Sequence, residues 1–243
     1  MSNFELEIEE LKRKIEELEN KKNRIPTYQY SKIRDVDLRE IFTIKRNLDD
    51  TPLNYWIKNN IKLDDITNEF LIKLLENNKK LLSSYKEEDL KIKFISKILN
   101  QVDFLSYENE FREFYEEPLT YKTDDFILNG TSDFVISKGL TYSEKPYFFI
   151  QEFKRSKANS DPEPQLLAEL ISAIELNNWT TIKGAYIVGE NWNFVILNRF
   201  KKHHYEYFLS ETFNSSKIED LKGIFRILLF IKEEITEMIK RGY

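Results

Sequence analysis

The segments GTSDFVI at 130–136 and IQEFK at 150–154 decide the fold of this sequence. Alternate residues of a β-strand face the same side of a sheet, so Glu152 and Lys154 project together from the end of an apolar strand. Asp133 lies in the preceding predicted strand, and enough residues separate it from Glu152 for an antiparallel return. We therefore expect two carboxylates and a lysine to meet on one face, at the end of a central strand.

These three side chains suit the hydrolysis of a phosphodiester bond. Two carboxylates without a nearby histidine or cysteine favour a hard cation such as Mg²⁺ or Mn²⁺. The reaction needs a metal-activated water, a stabilised leaving oxygen and a cationic partner. The Glu-x-Lys matches at Glu10 and Glu19 lie in helical patterns, where residues i and i+2 do not share a face. An ordinary ion pair at a strand end is the alternative interpretation of Glu152 and Lys154.

Composition excludes several other chemistries. The 243 residues include no cysteine, six glycines and two histidines, and the histidines are adjacent at 203 and 204. Disulfides, thiolate catalysis, zinc fingers and iron–sulfur clusters are therefore excluded, and no spaced histidines are available to hold a metal. Any catalysis would come mainly from carboxylates, lysines and a bound hard cation.

Charge and hydropathy bear on the environment of the chain. Its 37 basic and 42 acidic residues give a net charge of −5, which argues against bulk attraction to nucleic acid but not against a local basic cleft. No apolar run approaches the roughly 20 residues of a membrane-spanning helix, and the acidic N-terminus lacks the regions of a signal peptide. The sequence predicts a soluble, cytoplasmic protein with no membrane partner.

The hydrophobic pattern of the second half predicts an α/β fold. Asn-Gly at 129–130 is a strong two-residue turn signal, so 126–128 and 131–137 are predicted to form a hairpin. A central strand at 147–153, strands at 184–189 and 194–197, an edge strand at 205–209, and helices at 165–177 and 217–239 complete the pattern.

The first half is predicted to be mainly helical. Residues 35–105 show helical periodicity with polar breaks, and 61–75 and 87–99 are the stronger helices. In the second of these, Glu88 shares the apolar face with Ile92 and Ile95. A carboxylate in that position either lies at a solvated helix start, where the helix dipole favours it, or points into a site.

The N-terminal residues carry a heptad pattern. Core positions alternate in steps of four and three over residues 4–25, and they are apolar at Phe4, Ile8, Leu11, Ile15, Leu18 and Ile25, with Lys22 as the exception. Two interpretations are open: a short parallel coiled coil that makes a homodimer, or one amphipathic helix packed on its own domain. We expect this segment at 1–25, a helical N-terminal region at 26–84, and the main domain at 85–243.

The residues around Asp133 and Glu152 resemble the PD-(D/E)XK nuclease superfamily. The resemblance covers roughly residues 85–200 and implies a restriction-endonuclease-like core, which is a mixed central β-sheet flanked by helices. It also implies that Asp133, Glu152 and the backbone carbonyl of Phe153 bind Mg²⁺, for which Mn²⁺ can substitute, and that Lys154 positions the attacking water. Ser132 stands where the motif has proline.

Two further site residues follow from the resemblance. Gln165 resembles a glutamine at the start of the next helix in the RecB-like branch, although Glu169 stands where that branch has tyrosine; a helix-start polar residue is the alternative. The superfamily often adds an upstream glutamate at the metal, for which Glu88 is the first candidate and Glu110 the second.

Two basic clusters are candidate nucleic-acid contacts. They follow predicted strands and consist of Arg155 and Lys157 in the first and Arg199, Lys201 and Lys202 in the second. Contacts from such side chains to phosphates would position a nucleic acid without reading its sequence. Solvated loop charge is the alternative interpretation.

The resemblance implies a Mg²⁺-dependent endonuclease that acts on DNA in preference to RNA. Two alternatives stay open from the residues alone. One is a catalytically silent module of the same fold that binds nucleic acid or protein and assists assembly. The other is a nuclease subunit of a prokaryotic defence or mobile-element system that needs a partner or an activator.

Overall fold

The computed structural model describes residues 8–9, 11–14, 25–154, 156 and 161–242. Within them the chain is a mixed α/β protein with nine strands in one mixed sheet and seven α-helices. The strands are β1 (Thr27–Gln29), β2 (Thr43–Asn47), β3 (Phe111–Lys122), β4 (Ile127–Lys138), β5 (Glu144–Lys154), β6 (Thr181–Val188), β7 (Asn191–Lys201), β8 (His204–Leu209) and β9 (Phe213–Asn214). The helices are α1 (Asp35–Ile41), α2 (Thr51–Ile57), α3 (Asp65–Asn78), α4 (Glu87–Leu90), α5 (Ser96–Val102), α6 (Pro162–Asn177) and α7 (Ile218–Lys240).

The sheet combines antiparallel and parallel pairs. Its strand order is β1-β4-β5-β6-β7-β8-β2, with β3 paired to β4 and β9 paired to β7. The strands β3, β4 and β5 form an antiparallel meander, and α6 then crosses over so that β6 runs parallel to β5. The expected α/β class with a mixed central sheet is confirmed.

Both faces of the sheet are covered, which explains the apolar character of its central strands. Alternate residues of β5 enter two separate cores. Phe149 packs with Phe225 of α7 in one core, and Ile150 packs with Leu166 and Leu170 of α6 in the other. The predicted central strand at 147–153 is therefore confirmed, and it lies between two layers of helices.

Local sequence signals set the bounds of α6. The side chain of Asp161 accepts a hydrogen bond from the backbone N–H of Glu163, and prolines occupy the first turn, where no N–H is needed. The helix ends at Asn178, which adopts the left-handed conformation with φ of 55°. The predicted helices at 165–177 and 217–239 are confirmed as parts of α6 and α7.

The predicted hairpin at Asn129-Gly130 is wrong. Both residues lie inside the continuous strand β4, where they pair with Thr120 and Leu119 of β3. A Cβ on Gly130 would lie 2.7 Å from Cδ2 of Tyr30. The glycine therefore admits a buried aromatic ring beside the strand and makes no turn.

The N-terminal half is less helical than predicted. Residues 43–47 form β2, which runs parallel to β8 with Ile44 opposite Tyr205. The segment 205–209 is consequently an interior strand of the sheet and not its edge. The strand β1 comes from the same half, so residues 26–84 contribute two strands to the sheet as well as helices. Partners distant in the sequence define both strands, and both are short.

The heptad prediction falls mainly outside the described residues. Residues 8–9 and 11–14 are helical, and the side chains of Ile8 and Leu11 are exposed. In the proposed homodimer segment at 4–25, the structure describes only residues 8–9, 11–14 and 25. The rest of the heptad prediction lies outside the described residues. No helix among the described residues combines the length and apolar character that crossing a membrane requires.

Candidate active site

The candidate active site lies where β4 and β5 separate. Their ladder ends at the pair Phe134–Gln151, and further along β4 the residue Asn129 pairs with β1. Because β3 occupies the other side of β4 throughout, β1 and β5 share one side and leave a gap at residues 130–133. Asp133 and Glu152 are the first residues beyond the end of the ladder, so their side chains border this gap.

At the end of the ladder, the carboxylates of Asp133 and Glu152 each accept a hydrogen bond from the backbone of the other strand. Asp133 Oδ2 accepts the backbone N–H of Phe153 at 2.7 Å, and Glu152 Oε1 accepts the backbone N–H of Asp133 at 3.3 Å. These contacts satisfy two donors that strand pairing no longer serves. They also fix the carboxylates against each other without help from a bound group.

Lys154 and Gln165 complete the predicted constellation. Lys154 Nζ lies 3.5 Å from Glu152 Oε2 and 3.9 Å from Asp133 Oδ2. From the first turns of α6, the amide of Gln165 donates to Glu152 Oε2 at 2.7 Å and to Glu169 Oε1 at 3.1 Å. The structure therefore brings together the four side chains that the sequence singled out for catalysis.

Burial and nearby negative charge raise the pKa values of Glu152 and Glu169. Burial, reinforced by the charges of Glu169 and Asp133, raises the pKa of the fully buried Glu152 well above its usual range. Burial also raises the pKa of Glu169, to about 8. Because the pKa of each glutamate is raised, this buried pair favours the protonated form. Glu169 thus belongs to the site, although the resemblance gave it no role.

The amino group of Lys154 stays charged in this environment. Burial alone would lower the pKa of Lys154, but the charges of Glu152 and Asp133 outweigh it and raise the pKa. A protonated lysine can orient a water molecule and stabilise negative charge, but it cannot accept a proton.

A second lysine, Lys91, lies on the other side of Asp133. It is the first residue of a π-helical stretch between α4 and α5, a feature that is frequent at functional sites. Its Nζ donates to Asp133 Oδ1 at 3.1 Å, and its side chain is only 17% exposed. Burial works to lower the pKa of Lys91, but the charge of Asp133, the hydrogen bond to it and the charges of Glu87 and Glu88 together outweigh burial and raise the pKa.

Of the two candidates for the upstream glutamate, Glu88 borders the site and Glu110 does not. Glu88 lines a cavity of about 180 Å³ together with Asp133 and Phe153, but its side chain is 75% exposed and contacts Lys91 at 3.7 Å. Glu110 pairs with Lys138, which lies five positions along β4 from Asp133, so it lies away from the site.

Glu116 is a closer carboxylate that sequence reasoning missed. It lies opposite Asp133, because the neighbouring pairs are Tyr115–Phe134 and Glu117–Ser132. Its φ of 51° is unusual for a strand residue other than glycine. Burial and the charge of Asp133 raise the pKa of Glu116. Glu116 could be found only from the register of β3, a strand that the sequence did not predict. Lys91 ends an Asp-x-Lys match at residues 89–91, which lies in a helical pattern and therefore does not predict a site.

The oxygen atoms available at this site are of the kind that a hard cation prefers as ligands, although they are few. Lys154 turns its backbone toward β6, since its C=O accepts the N–H of Gly189. The preceding residue Phe153 therefore faces β4, so that its C=O points to the gap beside Asp133 and Glu152. Among the described residues no three histidine or acidic side chains are arranged around a metal position. A metal here would thus depend on two carboxylates, this carbonyl and water.

The predicted nucleic-acid contacts are not all near these residues. Glu152 is level with Tyr186 of β6 and Asn193 of β7. At a rise of roughly 3.3 Å per residue, Arg199 lies about 20 Å further along β7, and its guanidinium is paired with Glu175. The lysines at 201 and 202 are exposed at that same distant end. Arg155 and Lys157 lie outside the described residues.

A comparison with models of known protein families and with curated proteins found no match for this chain. What the chain does must therefore be argued from the geometry of the site.

Proposed function

We propose that this chain is a metal-dependent nuclease of the PD-(D/E)XK type, with DNA as the expected substrate. The observation that carries the proposal is the convergence of side chains at the place where β4 and β5 separate. There, Lys154 lies within 3.9 Å of both Asp133 and Glu152. Such a set supplies two hard anionic ligands and a charged partner for water or phosphate.

The connection of the elements supports the same proposal. A helical segment from Glu87 to Val102 precedes the antiparallel strands β3, β4 and β5, and α6 then leads to β6, which is parallel to β5. A mixed sheet flanked by helices is what the resemblance implies for this superfamily. The candidate residues lie on the second and third strands of that order, with Gln165 on the helix after them.

In this proposal each side chain has a separate task. Asp133, Glu152 and the Phe153 carbonyl would hold Mg²⁺ or Mn²⁺, which when bound supplies a polarised water and stabilises the leaving oxygen. Gln165 fixes Glu152 by a 2.7 Å hydrogen bond. Lys154 remains an ammonium and would orient the attacking water and offset the charge that develops on the phosphate.

The same contacts also support a second candidate, a catalytically silent nucleic-acid- or protein-binding module. Asp133 and Glu152 accept backbone hydrogen bonds that end a β-ladder, which is a structural role by itself. The charge of Asp133 is already offset by Lys91. Only a functional experiment separates the two candidates.

The test compares cleavage by the wild-type protein and by Lys154→Ala. Supercoiled, linear and single-stranded DNA and RNA are incubated with each protein in Mg²⁺, in Mn²⁺ and in EDTA. Wild-type protein should cleave DNA only with a metal, and Lys154→Ala should keep its circular dichroism spectrum and lose cleavage. Lys45→Ala is the matched control, because Lys45 pairs with Glu206 in the edge region of the sheet.

Two results would count against the proposal. Undiminished cleavage by Lys154→Ala would remove the lysine from the mechanism. A wild-type protein that binds nucleic acid but cleaves none of these substrates in either metal would favour the silent module.

A further inference from the structure

Lys91 is held by more carboxylates than one ammonium needs. Its Nζ lies 3.1 Å from Asp133 Oδ1, and three further carboxylate oxygens surround it at 3.6 to 3.8 Å, from Glu87, Glu88 and Glu116. These acids come from α4, β3 and β4, so they converge on one cation from three elements. The ammonium thus occupies a position at which positive charge is strongly favoured.

The oxygen that Lys91 holds is the one most suited to a metal. Asp133 Oδ2 is tied to the Phe153 N–H at 2.7 Å, and the oxygens of Glu152 are engaged by Gln165 and by the Asp133 N–H. Asp133 Oδ1, in contrast, accepts a hydrogen bond from Lys91 Nζ, and both residues line the cavity. A cation that enters from the cavity meets Lys91 on this oxygen.

We propose that Lys91 is a built-in counter-ion that a divalent cation must displace from Asp133, and that this competition sets the metal affinity of the site. The inference rests on the proposed function, because it takes Asp133 to be a metal ligand. Lys91 is therefore not a ligand or a catalytic residue, and it acts on metal binding through Asp133.

Lysine is suited to such an exchange. Its ammonium is a point charge on a flexible four-carbon stem, so it can move without breaking a fixed fork of hydrogen bonds. Glu87 and Glu88 lie four and three residues before Lys91 on the same helical segment. When Lys91 leaves Asp133, these two acids can still pair with it. The displaced lysine thus keeps a partner and stays beside the cavity.

The direction of the effect follows from charge. Without Lys91, the carboxylates around this position lose their cation, and an entering metal no longer competes with an ammonium or is repelled by it. Affinity for a divalent cation should therefore rise when the charge is removed, and should not rise when arginine keeps it.

The experiment measures Mn²⁺ binding by electron paramagnetic resonance and by titration calorimetry, without nucleic acid. The proteins are the full chain and its variants Lys91→Met, Lys91→Gln, Lys91→Arg and Lys93→Met. Lys93 is a matched control, since it pairs with Asp89 at 2.8 Å and lies 5.2 Å from the Tyr85 ring, as Lys91 lies 5.7 Å from that of Phe153. Circular dichroism shows which variants fold, and Lys91→Gln replaces Lys91→Met if the latter does not.

We expect Lys91→Met and Lys91→Gln to bind Mn²⁺ at least about tenfold more tightly than wild type, the size of an ordinary coupling between two sites. Lys91→Arg and Lys93→Met should not bind more tightly. If wild type binds Mn²⁺ and the two neutral variants bind equally or more weakly, Lys91 does not compete with the metal. The inference about Lys91 then fails, while the proposed metal-dependent function is unaffected. If none of the proteins binds Mn²⁺, the inference fails together with the metal-dependent function.

Discussion

The helix α6 has carboxylate side chains near both of its ends, and these carboxylates are neutralised in different ways. Near its C-terminal end, Glu175 accepts a hydrogen bond from Arg199 at 3.0 Å and one from the Tyr205 hydroxyl at 2.7 Å. Near its start, Asp133 and Glu152 face the ammonium groups of lysines.

The difference separates a structural cluster from an exchangeable one. Burial, followed by the hydrogen bond to Glu175, raises the pKa of Tyr205, so this phenol remains a donor. An arginine guanidinium adds a planar group whose donors are fixed in space. Around Asp133 the cations are flexible lysines at 3.1 and 3.9 Å, and a cavity adjoins them. Only this second arrangement leaves room for a ligand to replace a side chain.

The largest expected effect is that of Asp133→Asn. Loss of this charge should abolish detectable Mn²⁺ binding and lower the cleavage rate at least about a hundredfold, because even indirect supports of a metal ligand contribute up to that much. Calorimetry and a plasmid cleavage assay measure the two effects.

Glu175→Gln is the control for the other end of α6. It removes a charge of the same sign from a cluster of similar burial, and its cleavage rate should stay within about threefold of wild type because Glu175 is remote from the site. Equal losses in Asp133→Asn and Glu175→Gln would show that the comparison reflects folding and not function.

The second prediction concerns Arg199. Replacement by methionine should lower the free energy of unfolding by about 2 kcal/mol, since it removes the charged hydrogen bond to Glu175 and the hydrogen bond to Asn178. Denaturant unfolding in EDTA measures the change. The exposed pair Arg39–Asp35 is the control, and Arg39→Met should change the free energy of unfolding much less than Arg199→Met does. A loss of Mn²⁺ affinity in Arg199→Met would contradict the structural role.

The central residues of the site were predictable because they form local patterns. The alternation of β5 places Glu152 and Lys154 on one side, and the separation from Asp133 allows an antiparallel neighbour. Gln165 is assigned to the site through the resemblance, and the prolines before it mark only the start of α6. The inference on Asp133, Glu152 and Lys154 needs only the period of one element and the contact of two consecutive strands.

The remaining features depend on long-range pairing, which a single sequence does not encode locally. Glu116 reaches the site through the register of β3 with β4, and Lys91 through the packing of a π-helical stretch. Gly130 in an Asn-Gly pair predicted a turn, but the close approach of Tyr30 explains the glycine. The short strand β2 exists because β8 offers it a partner.

The third prediction is that the free energy of unfolding depends on pH through Glu169, near the start of α6. Burial raises the pKa of Glu169 from the ordinary 4.5 to about 8, so the folded state binds this proton more tightly than the unfolded state. The resulting stabilisation is full below about pH 4.5 and is lost as the pH rises to about 8. Unfolding in EDTA should therefore show a free energy that falls over this range, by up to about 1.4 kcal/mol per pH unit for one proton.

Glu169→Gln carries its hydrogens at every pH and should have a flatter profile between these values. The expected difference is in the slope, so a uniform loss of stability in this variant does not hide it. Identical slopes in wild type and Glu169→Gln would show that Glu169 does not hold the proton.

The smallest expected effect concerns the opposite face of β5 from Glu152. Gln151 is fully buried between Phe134 and Ala185, and neither its amide nitrogen nor its oxygen has a hydrogen-bond partner among the described residues. Replacing Gln151 with methionine, which has a similar unbranched shape, removes the cost of the unpaired amide and should raise the free energy of unfolding by about 1 kcal/mol.

The control is Gln165→Met, the same change at a hydrogen-bonded glutamine. It should lower the free energy of unfolding, because the amide of Gln165 donates to Glu152 and Glu169. Denaturant unfolding in EDTA compares both variants with wild type, and a loss of stability in Gln151→Met would mean that its amide is hydrogen-bonded in solution.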